Sequence, residues 1–227
     1  MPITGMTRAC SPMPSIAETN SGHTILAGPI ALGFQWDGIR WSHNLAFEDR
    51  LIASSLEMDP ERDDPHRVVS PAYQQFSHQF QGNTLQALLV GQWGHHHSSA
   101  VFTVALEDDG VSVTVDLAVR SRQGIEALAA TYLVQFTSSH LMDASQSAVV
   151  WELDGQPSSR LRFEAREPGI VSLAEGGRQA TTIQALARLE NGASTQRLFY
   201  EWHWQSHSEI EVARAGASLP PMSGECP

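Results

Sequence analysis

Two runs of alternating apolar and polar residues on either side of an Asp-Gly pair constrain this chain more than any other feature. Residues 100–108 and 111–120 flank Asp109-Gly110, and alternation with a period of two is typical of half-buried strands. Asp-Gly between such runs is a strong signal for a two-residue hairpin turn. The turn predicts one register, in which six apolar side chains share a face and Leu106 pairs with Val113, Val104 with Val115, and Phe102 with Leu117.

The rest of the chain continues this pattern. Gly82-Asn83 separates two further strand-like runs, and residues 148–153 and 160–166 alternate around a short loop. Asn191-Gly192 predicts a last hairpin, with Ile183 opposite Tyr200 and Ala185 opposite Leu198. Residues 45–58 are compatible with helix or strand, and residues 126–130 with one helical turn. Ten or more antiparallel strands predict an all-β fold, an antiparallel two-sheet sandwich, with a wide β-barrel as the alternative.

Length and composition predict one domain with loose ends. The chain has 227 residues, 41% of them hydrophobic and 17% charged, which is enough apolar material for one large core. Residues 1–22 are rich in Met, Pro, Ser and Thr, and we expect a disordered lead there. Residues 23–214 are expected to form a single antiparallel β domain, followed by a flexible tail over 215–227.

The charge balance excludes several classes of function. The net charge is −11, which disfavours nucleic acid and anionic membranes as partners. All basic residues are arginine, so lysine Schiff bases, pyridoxal phosphate linkage and P-loop chemistry are excluded. Only Cys10 and Cys226 are present, and no secretory signal or long apolar run appears. We therefore expect a cytoplasmic protein that is a monomer or homodimer.

Histidines with strand spacing suggest a metal site. His95 and His97 lie two residues apart, so they project to the same side of a strand, and Glu201 and His203 share that spacing near the end of the chain. If the two strands meet, these four side chains could bind a divalent transition metal.

The His-x-His pair resembles the cupin family, which holds its metal with such a pair and a later glutamate on a β-barrel. The resemblance covers His95 and His97 only, because Val101 or Phe102 stands where the glutamate is expected. In architecture alone, the chain also resembles galactose-mutarotase-like proteins, which use a His and a Glu on a large β-sandwich. His97 or His203 with Glu201 could also serve as an acid–base pair, so the alternative function is a metal-dependent or acid–base enzyme of the isomerase, epimerase or lyase type.

Tryptophans suggest a different function. Trp36 and Trp41 flank Asp37-Gly38, and together with Trp93 they are candidates for an exposed surface that stacks on a small polar ligand such as a saccharide. Arg120 and Arg122 are candidates for hydrogen bonds to that ligand. A non-catalytic binding module is the favoured function, with the enzyme as the alternative.

Two further possibilities concern packing and assembly. Trp202 and Trp204 have the parity of neighbouring apolar residues, which predicts packing in the core. A purely structural homo-oligomeric subunit, paired through edge strands, is a second alternative function.

Overall fold

The computed structural model describes residues 13–58, 69–135, 139–153, 159–175 and 181–206, and all its regular elements are β-strands. Within these ranges there is no helix, so the helical turn expected at 126–130 does not form and no helix could cross a membrane. The strands are β1 (Ser15–Thr19), β2 (Gly22–Ala27), β3 (Ile30–Trp36), β4 (Trp41–Phe47), β5 (Arg50–Ser55), β6 (Gln75–Gln81), β7 (Thr84–Trp93), β8 (His96–Leu106), β9 (Gly110–Ser121), β10 (Ala129–Val134), β11 (Ser139–Ala144), β12 (Ala148–Leu153), β13 (Ser159–Ala165), β14 (Ile170–Glu175), β15 (Thr181–Leu186) and β16 (Thr195–Ser206).

The strands form two eight-stranded antiparallel sheets. The first sheet has the order β1-β2-β3-β4-β5-β10-β15-β14, and the second has the order β11-β12-β13-β16-β9-β8-β7-β6. Neither sheet closes into a barrel, so the sandwich prediction is confirmed and the barrel alternative is wrong. The strands β1 and β6 are edge strands of different sheets. The site described below lies where these two edges meet.

The core lies between the two sheets. Alternate residues of each strand point inward, and the inner faces join in one hydrophobic cluster that draws side chains from both sheets. Leu85 and Leu161 of the second sheet and Ile183 of the first are completely buried. Each fully buried side chain of this size contributes about 1.5–3 kcal/mol. The alternation seen in the sequence therefore sets which face of each strand is buried.

The central hairpin confirms the predicted face but corrects the predicted register. In β8 and β9, Leu106 pairs with Val111 and Val104 with Val113, and the turn residues are Asp108 and Asp109. Gly110 is the first residue of β9 and pairs with Gln205 of β16, and a Cβ there would lie 2.0 Å from the carbonyl oxygen of Trp204. Each predicted partner moves by two residues, which keeps every apolar side chain on its expected face.

The last hairpin prediction is wrong. β15 pairs with β10 and β14 in the first sheet, whereas β16 pairs with β13 and β9 in the second. A turn does form at Asn191-Gly192, where Gly192 has a φ of 77°. This turn belongs to a connection between sheets, so Ile183 and Tyr200 are not partners.

Two other hairpins form as predicted. The pair β6 and β7 turns at Gly82-Asn83, with Gln81 opposite Thr84, and Gly82 has a φ of 60°. The pair β12 and β13 sets Trp151 opposite Leu161 on the buried face. The ambiguous stretch over 45–58 contains the end of β4 and all of β5, so it is strand.

The first strand begins earlier in the sequence than expected. β1 begins at Ser15, inside the stretch predicted to be disordered, and pairs along its whole length with β2. Its short length and the polar residues before it concealed it in the sequence. The tail predicted over 215–227, Cys10 and Cys226 lie outside the described residues.

Candidate functional site

Trp36 and Trp41 lie opposite each other at the turn end of the β3–β4 hairpin. They form the last pair of that ladder, and their ring centroids are 5.6 Å apart at an interplanar angle of 50°. The turn between them is held by Asp37, whose Oδ1 accepts hydrogen bonds from the backbone N–H groups of Ile39 and Arg40 at 2.9 and 2.8 Å. Burial acts to raise the pKa of Asp37, but these backbone donors and the Arg40 guanidinium outweigh it and lower the pKa.

The two tryptophans belong to a larger group, which we call the corner cluster. It gathers inward-facing side chains from the β1–β4 end of the first sheet and from β6 of the second, and its members are Glu18, His23, Trp36, Trp41, Phe76 and His78. The cluster sits where two edge strands of different sheets face each other. The sequence prediction found Trp36 and Trp41 and missed the other four.

The rings of the corner cluster pack in series. His23 stacks on Phe76 with centroids 4.4 Å apart and planes 14° from parallel. Trp41 lies 5.2 Å from Phe76 and 5.7 Å from His23. Trp36 remains 36% exposed, Trp41, Phe76 and His23 are half-buried, and none of them is completely covered. Partly exposed aromatic rings are suited to stacking on a ligand ring.

The rim of the cluster is polar. Glu18 Oε1 lies 3.7 Å from His23 Nδ1, and the imidazole of His78 lies 5.8 Å from that of His23, centroid to centroid. The Asp37–Arg40 ion pair, at 3.4 Å, borders the tryptophans. The site therefore combines an aromatic floor with carboxylate, imidazole and guanidinium groups at its edge.

The remaining predicted ligand-binding residues lie elsewhere. Trp93 ends β7 and is 45% exposed, and among the described rings none lies in contact with it. Arg120 pairs with His97 on the outer face of the second sheet, and Arg122 follows that strand as an exposed residue. The structure therefore brings together only Trp36 and Trp41 of the proposed set.

The predicted metal ligands are also separated. Across β8, β9 and β16, His97 is aligned with Arg120 and Thr195. His203 of β16 is aligned instead with Ser112 of β9 and Ala105 of β8. Eight residues (97 to 105) separate these rows, or about 26 Å at ~3.3 Å per residue.

Their local partners differ as well. His95 lies in the exposed turn between β7 and β8. Glu201 is paired with Arg166 at 2.8 Å, and His203 Nε2 lies 3.5 Å from Glu107 Oε2. His95, His97, Glu201 and His203 therefore cannot ligate one ion, because metal–ligand bonds are only about 2 Å long.

A buried polar chain is the second feature that the sequence prediction missed. His43 and Glu57 are 3% and 7% exposed, and His43 Nδ1 lies 3.2 Å from Glu57 Oε1. His43 Nε2 is hydrogen-bonded to the Tyr132 hydroxyl at 2.8 Å, and that hydroxyl to the Tyr200 hydroxyl at 2.7 Å. The last bond joins β10 of the first sheet to β16 of the second. Ser55 donates to the backbone oxygen of His43 at 2.7 Å and also bonds Glu57.

These hydrogen-bonded groups are buried between the sheets, as is typical of a structural role. Burial raises the pKa of Tyr132 and of Tyr200 above the usual range, and it does the same for Tyr73 nearby. All three hydroxyls therefore stay protonated at neutral pH. No substrate could contact His43 without separation of the sheets, so the combination of His, Glu and Tyr does not constitute an accessible catalytic site.

A depression of about 530 Å³ lies away from the corner cluster. It is lined by Gln146, Ser147, Glu167, Pro168, Gly169, Ile170 and Arg188. None of these side chains is aromatic, and two carry opposite charges. The depression lacks the flat apolar floor that the corner cluster provides.

The comparisons with known proteins give a fold and no family. No protein-family model matches the sequence, and no curated protein matches it. Among solved structures, a heparan sulfate lyase HepC mutant from Pedobacter heparinus matches with a TM-score of 0.54 and 8% identity, over 88% of this chain and 37% of that chain. A 4-alpha-glucanotransferase from Thermococcus litoralis matches with a TM-score of 0.41 and 9% identity, over 87% of this chain and 40% of that chain. The chain thus spans less than half the length of either protein and is similar to the first in fold.

Proposed function

We propose that this chain is a β-sandwich module that binds a small polar ligand, with a saccharide as the preferred class, through the corner cluster. The observation that carries the proposal is the grouping of Trp36, Trp41, His23 and Phe76 at an open edge, with ring contacts of 4.4–5.7 Å. Among the ring groups described, this one is only half covered by protein, whereas the rings around Tyr132 are buried.

The chemistry of a sugar suits this arrangement. The C–H face of a pyranose is apolar and packs on an indole face, while its hydroxyls need donors and acceptors at the edge. Glu18 and Asp37 supply acceptors, and His78 supplies a donor or acceptor. Losing one well-packed aromatic anchor from such a site costs about 2 kcal/mol or more of binding free energy, which is roughly a thirtyfold loss of affinity.

Charge favours a neutral saccharide over a sulfated one. The chain carries a net charge of −11, and two of the charged rim residues, Glu18 and Asp37, are acidic. A polyanion would meet an unfavourable potential on approach. The likeness to a heparan sulfate lyase is consistent with a carbohydrate-related module. At 8% identity, however, it supports the fold alone.

Calorimetric titration with matched tryptophan variants tests the proposal. The probes are neutral oligosaccharides of the maltose and cellobiose series, with heparan sulfate fragments as the charged comparison. We expect a neutral probe to bind the unmodified chain and to bind Trp41→Ala at least about tenfold more weakly. Trp93→Ala is the matched control, because Trp93 is an exposed indole outside the corner cluster. The affinity of this variant for the probe should equal that of the unmodified chain. Equal loss in both variants, or no binding of any probe, would refute the saccharide proposal.

A homo-oligomeric role is the second candidate, and β6 favours it. This seven-residue edge strand, Gln75–Gln81, carries no Asp, Glu, Lys or Arg, and most of its side chains are exposed. Uncharged edges of this length are able to pair with another chain. Light scattering after size exclusion tests the idea: a dimer that dissociates in Gln79→Lys supports it, and a monomer at all concentrations rules it out.

A further inference from the structure

We propose that Glu18, His23 and His78 form a binding site for a divalent transition-metal ion of the zinc class, which links the edge strands of the two sheets. The three ligand atoms, one carboxylate oxygen and two ring nitrogens, all lie within 4.8 Å of one another. These residues differ from the histidines singled out by their spacing in the sequence. The proposal does not depend on saccharide binding.

The separations suit a metal after a small adjustment. Glu18 Oε1 and His23 Nδ1 are 3.7 Å apart, and ligand atoms around a tetrahedral zinc ion lie about 3.4 Å apart for bonds of ~2.1 Å. Glu18 and His78 are both exposed, so their side chains can rotate by the remaining distance of about 1 Å. Two imidazoles and one carboxylate leave a fourth position for water or another ligand.

His23 supplies an independent indication. Its Nδ1 is buried and finds no hydrogen-bond partner among the described residues. A buried polar atom without a partner is unfavourable unless something else satisfies it. The stacking of its ring on Phe76, at 4.4 Å and 14°, fixes the direction in which Nδ1 points. A metal ion between His23, Glu18 and His78 would satisfy this atom without movement of the ring.

The fold explains why the three residues meet. Glu18 and His23 are paired across the β1–β2 hairpin, on the face that points toward the second sheet. His78 pairs with Ala87, a completely buried residue, so it lies on the inner face of β6. The inner faces of β1 and β2 in the first sheet and of β6 in the second therefore supply the ligands, and a bound ion would connect the two sheets at this edge.

A rival cluster at the β8–β9 turn of the second sheet provides a control. Glu107, Asp109 and His203 also lie within 4.8 Å of one another, but Asp109 already accepts a hydrogen bond from Gln205 at 2.5 Å. Its two acidic residues are exposed and lie in the β8–β9 turn, and His203 lies on β16 of the same sheet. An ion there would not link the two sheets.

The experiment uses the full chain without a histidine tag, stripped with a chelator and then equilibrated with zinc chloride. We expect plasma mass spectrometry to find one zinc ion per chain, and the melting temperature to rise by about 5–10 °C at a hundredfold excess over Kd. Magnesium chloride should give no rise, because the site offers two nitrogen ligands.

Variants locate the ion. His78→Ala should abolish both zinc retention and the temperature shift, while its zinc-free melting temperature stays within about 2 °C of the unmodified chain, since His78 is exposed. His203→Ala and His97→Ala should behave as the unmodified chain does. Absence of stoichiometric zinc, or zinc lost in His203→Ala or His97→Ala but kept in His78→Ala, would overturn the proposal.

Discussion

The hydroxyl of Tyr132 links the two sheets, and its removal should be unusually costly. It is hydrogen-bonded to His43 Nε2 at 2.8 Å and to the Tyr200 hydroxyl at 2.7 Å, in a region closed to solvent. Tyr132→Phe would leave both partners buried without that bond. Each buried group without a partner costs about 1–3 kcal/mol, so we expect a loss of about 4 kcal/mol in the free energy of unfolding.

Tyr200→Phe is the matched control because it removes the same atom type from the end of the chain of bonds. Tyr132 would keep its bond to His43, so the expected loss is about 1 kcal/mol. The double variant should lose only about 2 kcal/mol in the free energy of unfolding, because with Phe at position 200 only His43 is left without its hydrogen-bond partner. The three values predict a coupling of about 3 kcal/mol between the two tyrosines.

Urea unfolding followed by tryptophan fluorescence measures all three values. A Tyr132→Phe loss no larger than that of Tyr200→Phe, or losses that simply add in the double variant, would contradict this prediction. Either result would mean that the bond from His43 through Tyr132 to Tyr200 contributes no more than ordinary surface hydrogen bonds.

Two further predictions follow from burial and from close packing. Burial raises the pKa of Tyr73, Tyr132 and Tyr200, the only tyrosines in the chain. The native state therefore keeps these protons when the unfolded state releases them, so stability is full below about pH 10 and falls by up to about 4 kcal/mol per pH unit above it. Tyrosinate absorbance should rise only together with unfolding; a gradual rise in the folded protein would contradict this. Gly110→Ala should destabilise by about 3 kcal/mol or more in thermal melts, since its Cβ would meet the Trp204 carbonyl oxygen at 2.0 Å. A loss under about 1 kcal/mol would show that β16 can move aside.

Strand faces could be predicted from the sequence, whereas pairing across long distances could not. Alternation alone placed Val104 and Val113 on the buried face. The error in register was two residues, so it did not change which side chains point inward. The Asn191-Gly192 turn was visible, but a turn signal carries no information on which sheet receives the next strand. That choice depends on β15 packing beside β10, a contact remote in sequence.

The candidate site was predictable only in part for the same reason. Trp36 and Trp41 face each other across one local hairpin, so turn signals and residue type were enough to select them. Phe76 and His78 join them from the other sheet, and no local pattern reports that meeting. His43 did leave a signal, because it stands at the inward position between Trp41 and Leu45, where a histidine requires a partner. The partner Glu57 lies beyond the end of β5, outside any alternating pattern.

The central claim is that the corner cluster binds the ligand, and the six indole N–H resonances test it most directly. A nitrogen-15 labelled chain, titrated with the neutral oligosaccharide that binds best in calorimetry, reports on every tryptophan separately. We predict that the Trp36 and Trp41 resonances shift with saturation, while that of Trp93 stays in place. Saturable shifts at Trp93 without shifts at Trp36 and Trp41 would contradict the account, as would a bound ligand that moves none of the indoles.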